Sequence, residues 1–270
     1  MKVFQEQSDF IDRDPRANRI HTFWHQSYQV TERIQTGRNH VLLPPEIIEG
    51  KTILDLGCCV AASGGWALSH GASSYTGVEI SPELAMISRE NLQRYHPDRS
   101  WIIIECSVED FLRDHSARYD IVLAAGVLYA ISDSMESILR IANLTDTMMI
   151  EGMHPRKPPG LDVPEISREM ELDYPYVFYR STGMCHGTNE EDVQTLGFFA
   201  SIGALTLMNK KIGFERDLTP YNQLCRLLPD IYSSSKRYAV RFDRIGESLP
   251  VTYNKLMNSD RKAVKSWKDH

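Results

Sequence analysis

ILDLGCCVAASGGWAL, residues 53–68, decides the fold. It opens as a short apolar run closed by Asp55 and Gly57, continues through small residues, and ends as the start of a helix. Strand, acidic residue, glycine, small residues, helix is what a nucleotide-like cofactor requires: the turn is tight and backbone amides at the helix start approach the ligand closely. Twenty-four residues after Asp55, Glu79 ends a second apolar run in GVEIS, where a carboxylate can accept both hydroxyls of a ribose.

Working outward, TILDL (52–56), SYTGVEI (74–80), WIIIE (101–105), DIVLAAG (120–126) and TMMIEG (147–152) are runs too short for helices and apolar on both faces. They read as buried parallel strands. Between them SGGWALSH, PELAMISRENLQRY, VEDFLRDH and DSMESILRIANL read as helices, the second with Ser81 as N-cap and Pro82 in its first turn. Asp133 is placed to cap the last of them. This alternation predicts an α/β, doubly wound sheet with its ligand site outside the carboxyl ends of the strands.

Residues 51–152 resemble the class I S-adenosylmethionine-dependent methyltransferases. Asp55 and Gly57 match that family's opening of an acidic residue followed by Gly-x-Gly-x-Gly, with Cys59 and Ala61, both small, in place of the second and third glycines. A dinucleotide dehydrogenase would instead carry Gly-x-Gly-x-x-Gly, and no glycine follows Gly57 until Gly64. The resemblance implies a mostly parallel, seven-stranded, Rossmann-like methyltransferase fold with S-adenosyl-L-methionine as cofactor. It assigns to the cofactor Asp55, Gly57, Cys58, Cys59 and Ala61 of the loop, Glu79 on the ribose with Ile80 packing on the adenine, Ser107 and Val108 near the adenine amine, and Ala125 at the fourth strand's exit. The exit reads Leu128-Tyr129-Ala130 where family members often have Leu-Tyr-His.

The flanks resemble more weakly the enzymes related to tRNA wobble-uridine carboxymethyltransferases, through Phe23-Trp24-His25, Thr36-Gly37, Gly126 to Tyr129, and a long insert. The carboxylated cofactor of that branch needs an extra cation beside the sulfonium, and Arg38 is a candidate for it. Arg38 is equally a candidate partner of the methionine carboxylate.

Residues 1–50 form an N-terminal helical prelude or lid, broken at Pro44-Pro45, and 51–246 the methyltransferase domain. The domain carries an insert at 152–187 with five of the 13 prolines, and 247–270 is a basic tail. NEEDVQTLGFFASIGALTLMNKKIGF reads as one helix capped by Thr188 or Asn189, followed by two closing strands in FERDLTP and RYAVRFDRI. Trp24 and His25 in the prelude, and Tyr174, Tyr176, Phe178 and Tyr179 in the insert, are candidate walls for the acceptor. His154, Glu151 and Tyr129 are candidate general bases at the carboxyl edge. Trp66 reads as core. Cys185 and His186 have no companion ligands at regular spacing, so no metal site is expected.

The 270 residues are 42% hydrophobic and 24% charged, which excludes a disordered chain. The 30 basic and 36 acidic side chains give −6, which speaks against a protein that coats nucleic acid. That total divides into −11 over residues 1–220 (20 basic, 31 acidic) and +5 over 221–270 (ten basic, five acidic). The five cysteines form no disulfide or zinc pattern, and neither a spanning segment nor a signal peptide is visible, so a cytoplasmic protein is expected. Acceptor specificity must reside in what is added to the shared sheet. The insert therefore favours a small-molecule acceptor. The basic end keeps an RNA acceptor, methylated or carboxymethylated, as the alternative, and the replaced glycines keep a non-catalytic, cofactor-binding regulatory protein as a third.

Overall fold

The computed structural model describes residues 32–131, 134–153, 177–182, 195–228, 232 and 237–246. The five apolar runs form β1 (Thr52–Leu56), β2 (Ser74–Glu79), β3 (Trp101–Glu105), β4 (Ile121–Ala125) and β5 (Thr147–Met153). They lie in a seven-stranded sheet of order β3-β2-β1-β4-β5-β9-β8, completed by β8 (Phe214–Asp217) and β9 (Arg237–Arg244). The first five strands are parallel; β9 runs antiparallel to both β5 and β8. The strand order reverses between β1 and β4, since the chain runs from β1 out to β3 and then returns to β4 on the other side of β1, which makes their carboxyl ends the switch point.

The connecting helices are α3 (Ala62–Ser69), α4 (Pro82–Tyr95), α5 (Val108–Asp114) and α6 (Ser134–Leu144). α3 packs on α4, and α5 on α6, as right-handed crossovers on opposite faces demand. Ser81 caps α4 through Leu84 N–H at 3.4 Å, with Pro82 following, as the sequence predicts. The prelude supplies α1 (Glu32–Leu42) and α2 (Pro45–Ile48). α1 rests on α3 and on α8 (Thr219–Leu227). Its last turn is pinned where Trp66 Nε1 donates to Leu43 O at 2.8 Å, and Trp66, only 2% exposed, is core as expected.

Three sequence readings need correction. β3 is an edge strand, not a buried one: no strand among the described residues pairs beyond it, and Ile102 is 53% exposed. The segment after residue 189 is not one helix. Thr195–Ala200 forms β7, which pairs antiparallel with β6 (Val177–Thr182), and helix α7 begins only at Ile202, where Ser201 accepts from Ala204 N–H at 3.0 Å. The run LGFFA has strand-like aromatic content, and Ser201 is a favoured N-cap residue directly before the helix. FERDLTP likewise divides: FERD is β8, whereas Thr219 and Pro220 open α8.

Gly64 shows how tightly α3 lies on the sheet. A Cβ at this position would stand 2.5 Å from two ring atoms of Tyr75, a β2 side chain that is itself buried. Gly64→Ala should therefore lower stability by about 1–3 kcal/mol through overpacking, measured as a shift in the urea unfolding midpoint.

Candidate active site

The loop after β1 holds a left-handed backbone at each position where glycine is customary. Gly57 has φ 73°, Cys59 φ 55° and Ala61 φ 59°. The two replaced glycines therefore leave the loop's shape intact at an expense in strain, since a Cβ disfavours this region by about 1–2 kcal/mol. Four hydrogen bonds over-determine the shape. Gly57 and Cys58 N–H donate to Val78 O at 2.9 and 3.0 Å, Ser88 Oγ donates to Cys59 O at 2.6 Å, and Asn91 Nδ2 donates to Val60 O at 3.3 Å.

Glu79 is the fifth tie. Its Oε2 accepts from Cys59 N–H and its Oε1 from Ser81 N–H, both at 2.9 Å. Burial raises its pKa, and the backbone N–H groups of Ser81 and Cys59 oppose that rise. Ile80 beside it is 55% exposed, an apolar surface next to a buried carboxylate. A fixed acidic acceptor, an apolar face and a left-handed loop leading into a helix are what an adenosine cofactor needs, so these residues fit the group that the resemblance implies.

Asp55 lies beneath the loop, 3% exposed, accepting from Tyr75 Oη at 2.8 Å. Burial raises its pKa from 3.8 to about 6, against the opposing effects of Tyr75 and Arg38. Cys58 turns into the sheet: its Sγ would stand 2.7 Å from a Cβ on Gly77. Burial lifts the thiol of Cys59 to about 12 and that of Cys58 well above its ordinary value, so neither is a nucleophile near neutrality. Ser107 is committed elsewhere than expected. Its hydroxyl caps α5, accepting from Asp110 N–H at 3.0 Å and donating to the Asp110 carboxylate at 2.7 Å. Val108 follows it, buried, and Ala125 is half-buried at the end of β4.

At the carboxyl edge of β4 and β5 the structure overturns two candidate bases. Glu151 is 1% exposed; its Oε2 accepts from both Nε and Nη2 of Arg38, the former at 3.0 Å, and its Oε1 accepts from Tyr232 Oη at 2.8 Å and Arg237 Nη1 at 3.2 Å. Burial alone would raise its pKa, but the two guanidiniums hold it at about 2, so it takes no proton near neutral pH. The arrangement also corrects the role of Arg38, whose fork faces Glu151 rather than standing open for a methionine carboxylate. Burial alone would lower its pKa; the Glu151 carboxylate reverses this and raises it. Tyr129 is 5% exposed, and burial raises its pKa against the opposing charge of Arg237, with Glu151 adding to the rise, so it is a hydroxyl donor rather than a base. Arg237 and Tyr232 were not legible as site residues; the only sequence hint is a basic residue opening the last strand.

His154, Asp133, Trp24, His25, Tyr174, Tyr176, Cys185 and His186 lie outside the described residues. Phe178 and Tyr179 are on β6, described as backbone. Thr36 lies in α1, and His40 stands edge-on to Trp66 with ring centroids 6.0 Å apart. Among the described residues no cluster of His, Cys, Asp or Glu is arranged to hold a metal, and no helix is long and apolar enough to cross a membrane. A separate cleft of about 630 Å³ opens at the amino edge of the sheet. Its charges pair with one another, Lys51 with Asp120, Arg118 with Asp146, and Arg241 with Asp243, so the carboxyl edge remains the site that the fold and loop select.

Residues 53–144 match the methyltransferase domain family. Among solved structures, magnesium protoporphyrin IX methyltransferase from Synechocystis PCC 6803 with bound S-adenosylmethionine is 14% identical, with 91% of this chain and 98% of that one aligned at a TM-score of 0.52. An S-adenosylmethionine-dependent methyltransferase from Mesorhizobium loti is 16% identical over 76% of this chain and 95% of that one, at 0.50. At these identities the likeness is one of fold. No curated protein matches the chain.

Two outcomes follow from the loop and the carboxylates. Cys59→Gly and Ala61→Gly should each raise stability by up to about 1 kcal/mol, the relieved left-handed strain less the backbone entropy that glycine adds to the unfolded chain, read as an upward shift in thermal midpoint. The two carboxylates carry opposite pH signatures. Glu151, lowered from 4.5 to about 2, stabilises the fold above pH 4.5 and loses that contribution as pH falls toward 2. Asp55, raised from 3.8 to about 6, opposes folding once ionised, and this is relieved as pH falls below 6. Asp55→Asn should therefore flatten the change in thermal midpoint between about pH 4 and pH 7, measured against wild type by calorimetry.

Proposed function

We propose that this chain, whose residues 53–144 match the methyltransferase domain family, is a class I, S-adenosylmethionine-dependent methyltransferase that transfers the methyl group to a small-molecule acceptor held beneath the insert after β5. One observation carries the proposal. The hairpin β6–β7 returns from the insert to lie against β5 and the short 3-10 turn Leu128–Ala130 at the exit of β4. An acceptor must stand at that exit, and a hairpin laid over it favours an enclosed pocket over the open basic groove that RNA would need.

In this reading Glu79 receives the ribose hydroxyls, Ile80 and Val108 flank the adenine, and the backbone of Gly57, Cys58, Cys59 and Ala61 lines the donor. Phe178 and Tyr179, with Tyr174 and Tyr176, wall the acceptor, and Trp24 and His25 belong to the lid. Ser107 supports the site through the cap its hydroxyl makes on α5 rather than by meeting the adenine. The bound donor supplies an electrophilic methyl on a sulfonium. What the chain adds is alignment and exclusion of water, for an in-line displacement needs little else. Of the three candidate bases, His154 is the one suited to an acceptor that must lose a proton.

The basic end lends the RNA alternative less support than its charge suggests. Of its ten cations, Arg237 is bound to Glu151, Arg241 to Asp217 and Asp243, and Arg244 to Asp146, all within the sheet. A carboxylated donor has one observation in its favour. A Cβ at Gly126 would stand 3.4 Å from the Tyr129 hydroxyl and 3.6 Å from Arg237 Nη1, so a cation and a hydroxyl donor meet at the exit of β4.

With methyl-tritiated donor and a whole-cell extract, label should pass into molecules that cross a small-pore filter and resist ribonuclease. Label that stays with RNA would reverse the proposal, and the mass of the added group, methyl or carboxymethyl, identifies the donor.

A further inference from the structure

Two buried side-chain atoms lack a hydrogen-bond partner among the described residues, Asn209 Oδ1 and Asn39 Nδ2. Asn209 sits in a helix end, where its Nδ2 already donates to Leu205 O at 2.8 Å, and an under-used carbonyl is common. Asn39 is different. It is fully buried, and its Oδ1 accepts from Ser63 Oγ at 3.3 Å, which orients the amide and leaves both Nδ2 hydrogens unclaimed. An unsatisfied buried donor destabilises a fold unless something else satisfies it.

Its neighbours fix where it stands. Arg38, one residue earlier in α1, reaches Glu151 at the end of β5; His40, one residue later, meets Trp66 of α3. Asn39 thus lies between these anchors, against Ser63 in the first turn of α3. That helix starts from the left-handed Ala61, whose own side chain does not cap it. The first turn of a helix and the positive end of its dipole attract an anion. The orphan amide is a second, independent sign of a missing acceptor at the same turn.

We propose that Asn39 donates from Nδ2 to the carboxylate of the donor's methionine arm, together with the first turn of α3. This rests on the S-adenosylmethionine reading above and deepens it. Arg38, the sequence's candidate for that carboxylate, is spent on Glu151. A neutral amide does the same work one residue further along α1 without adding charge beside the Arg38–Glu151–Arg237 group.

Titration calorimetry on the full chain decides the matter with two probes: S-adenosylhomocysteine, which has the amino-acid arm, and 5′-methylthioadenosine, which lacks it. In Asn39→Leu and Asn39→Ala, affinity for S-adenosylhomocysteine should fall on the order of tenfold, the loss of a hydrogen bond to a charged group. Affinity for methylthioadenosine should hold within about twofold. The ligand-free thermal midpoint of Asn39→Leu should match or exceed wild type, because an unsatisfied donor has been removed. Unchanged binding of S-adenosylhomocysteine, or equal weakening of both ligands, would overturn the proposal. Wild-type protein that binds neither ligand would fail the donor reading itself and take this inference with it.

Discussion

The site hangs on one buried carboxylate. Glu151 lies near the end of β5, and its two oxygens gather a helix from the prelude through Arg38, the residue Tyr232 that follows α8, and the first residue of the last strand, Arg237. Those partners stand 113, 81 and 86 residues away along the chain. A carboxylate this deep is tolerable only when paired and fully hydrogen-bonded; removing one partner of such a group typically costs about 3–5 kcal/mol. Helix α1 is therefore held to the sheet as part of the carboxyl edge, and the direction in which it lies, with Asn39 over α3, follows from where Arg38 must reach.

The loop after β1 tells a complementary story about strain. Glycine is customary at positions 59 and 61 because only glycine adopts a left-handed backbone without penalty. This chain has cysteine and alanine there and keeps the conformation, since Glu79, Ser88, Asn91 and Val78 together hold it. Glu79 accordingly has two tasks. It fixes the amide of Cys59 so that the loop stays in place, and in the function proposed for the chain the same carboxylate receives the ribose. A motif scored by glycines alone undervalues such a loop, because the geometry is maintained by partners that the motif does not contain.

Chemically the carboxyl edge is a place of donors and fixed charges rather than of bases. Glu151 is locked as an anion, Tyr129 as a phenol, and the thiols of Cys58 and Cys59 as neutral groups. That suits a displacement whose barrier is lowered by alignment, in which a proton acceptor is an accessory required only by some nucleophiles.

How much of this was legible follows the range of the forces involved. Apolar runs of five to seven residues, helix caps such as Ser81 and the small-residue loop at 57–61 are local, so they could be read in order along the chain and they determined the parallel core and its switch point. The errors arose where contacts are distant. β3 is as apolar as its neighbours, and only the sheet order makes it an edge; LGFFA suits a helix until β6 arrives to pair with it. Glu151 and Arg38 show the limit most clearly. Each alone reads as a strand-end acid or a surface base, and the meaning of both changes once they touch, because the pKa and availability of a buried ion are set by the charge beside it and not by the residues on either side of it in sequence. The amino-acid order determined that this chain would build a donor site of this kind. Tertiary structure alone decided which of its charged groups are free to serve that site.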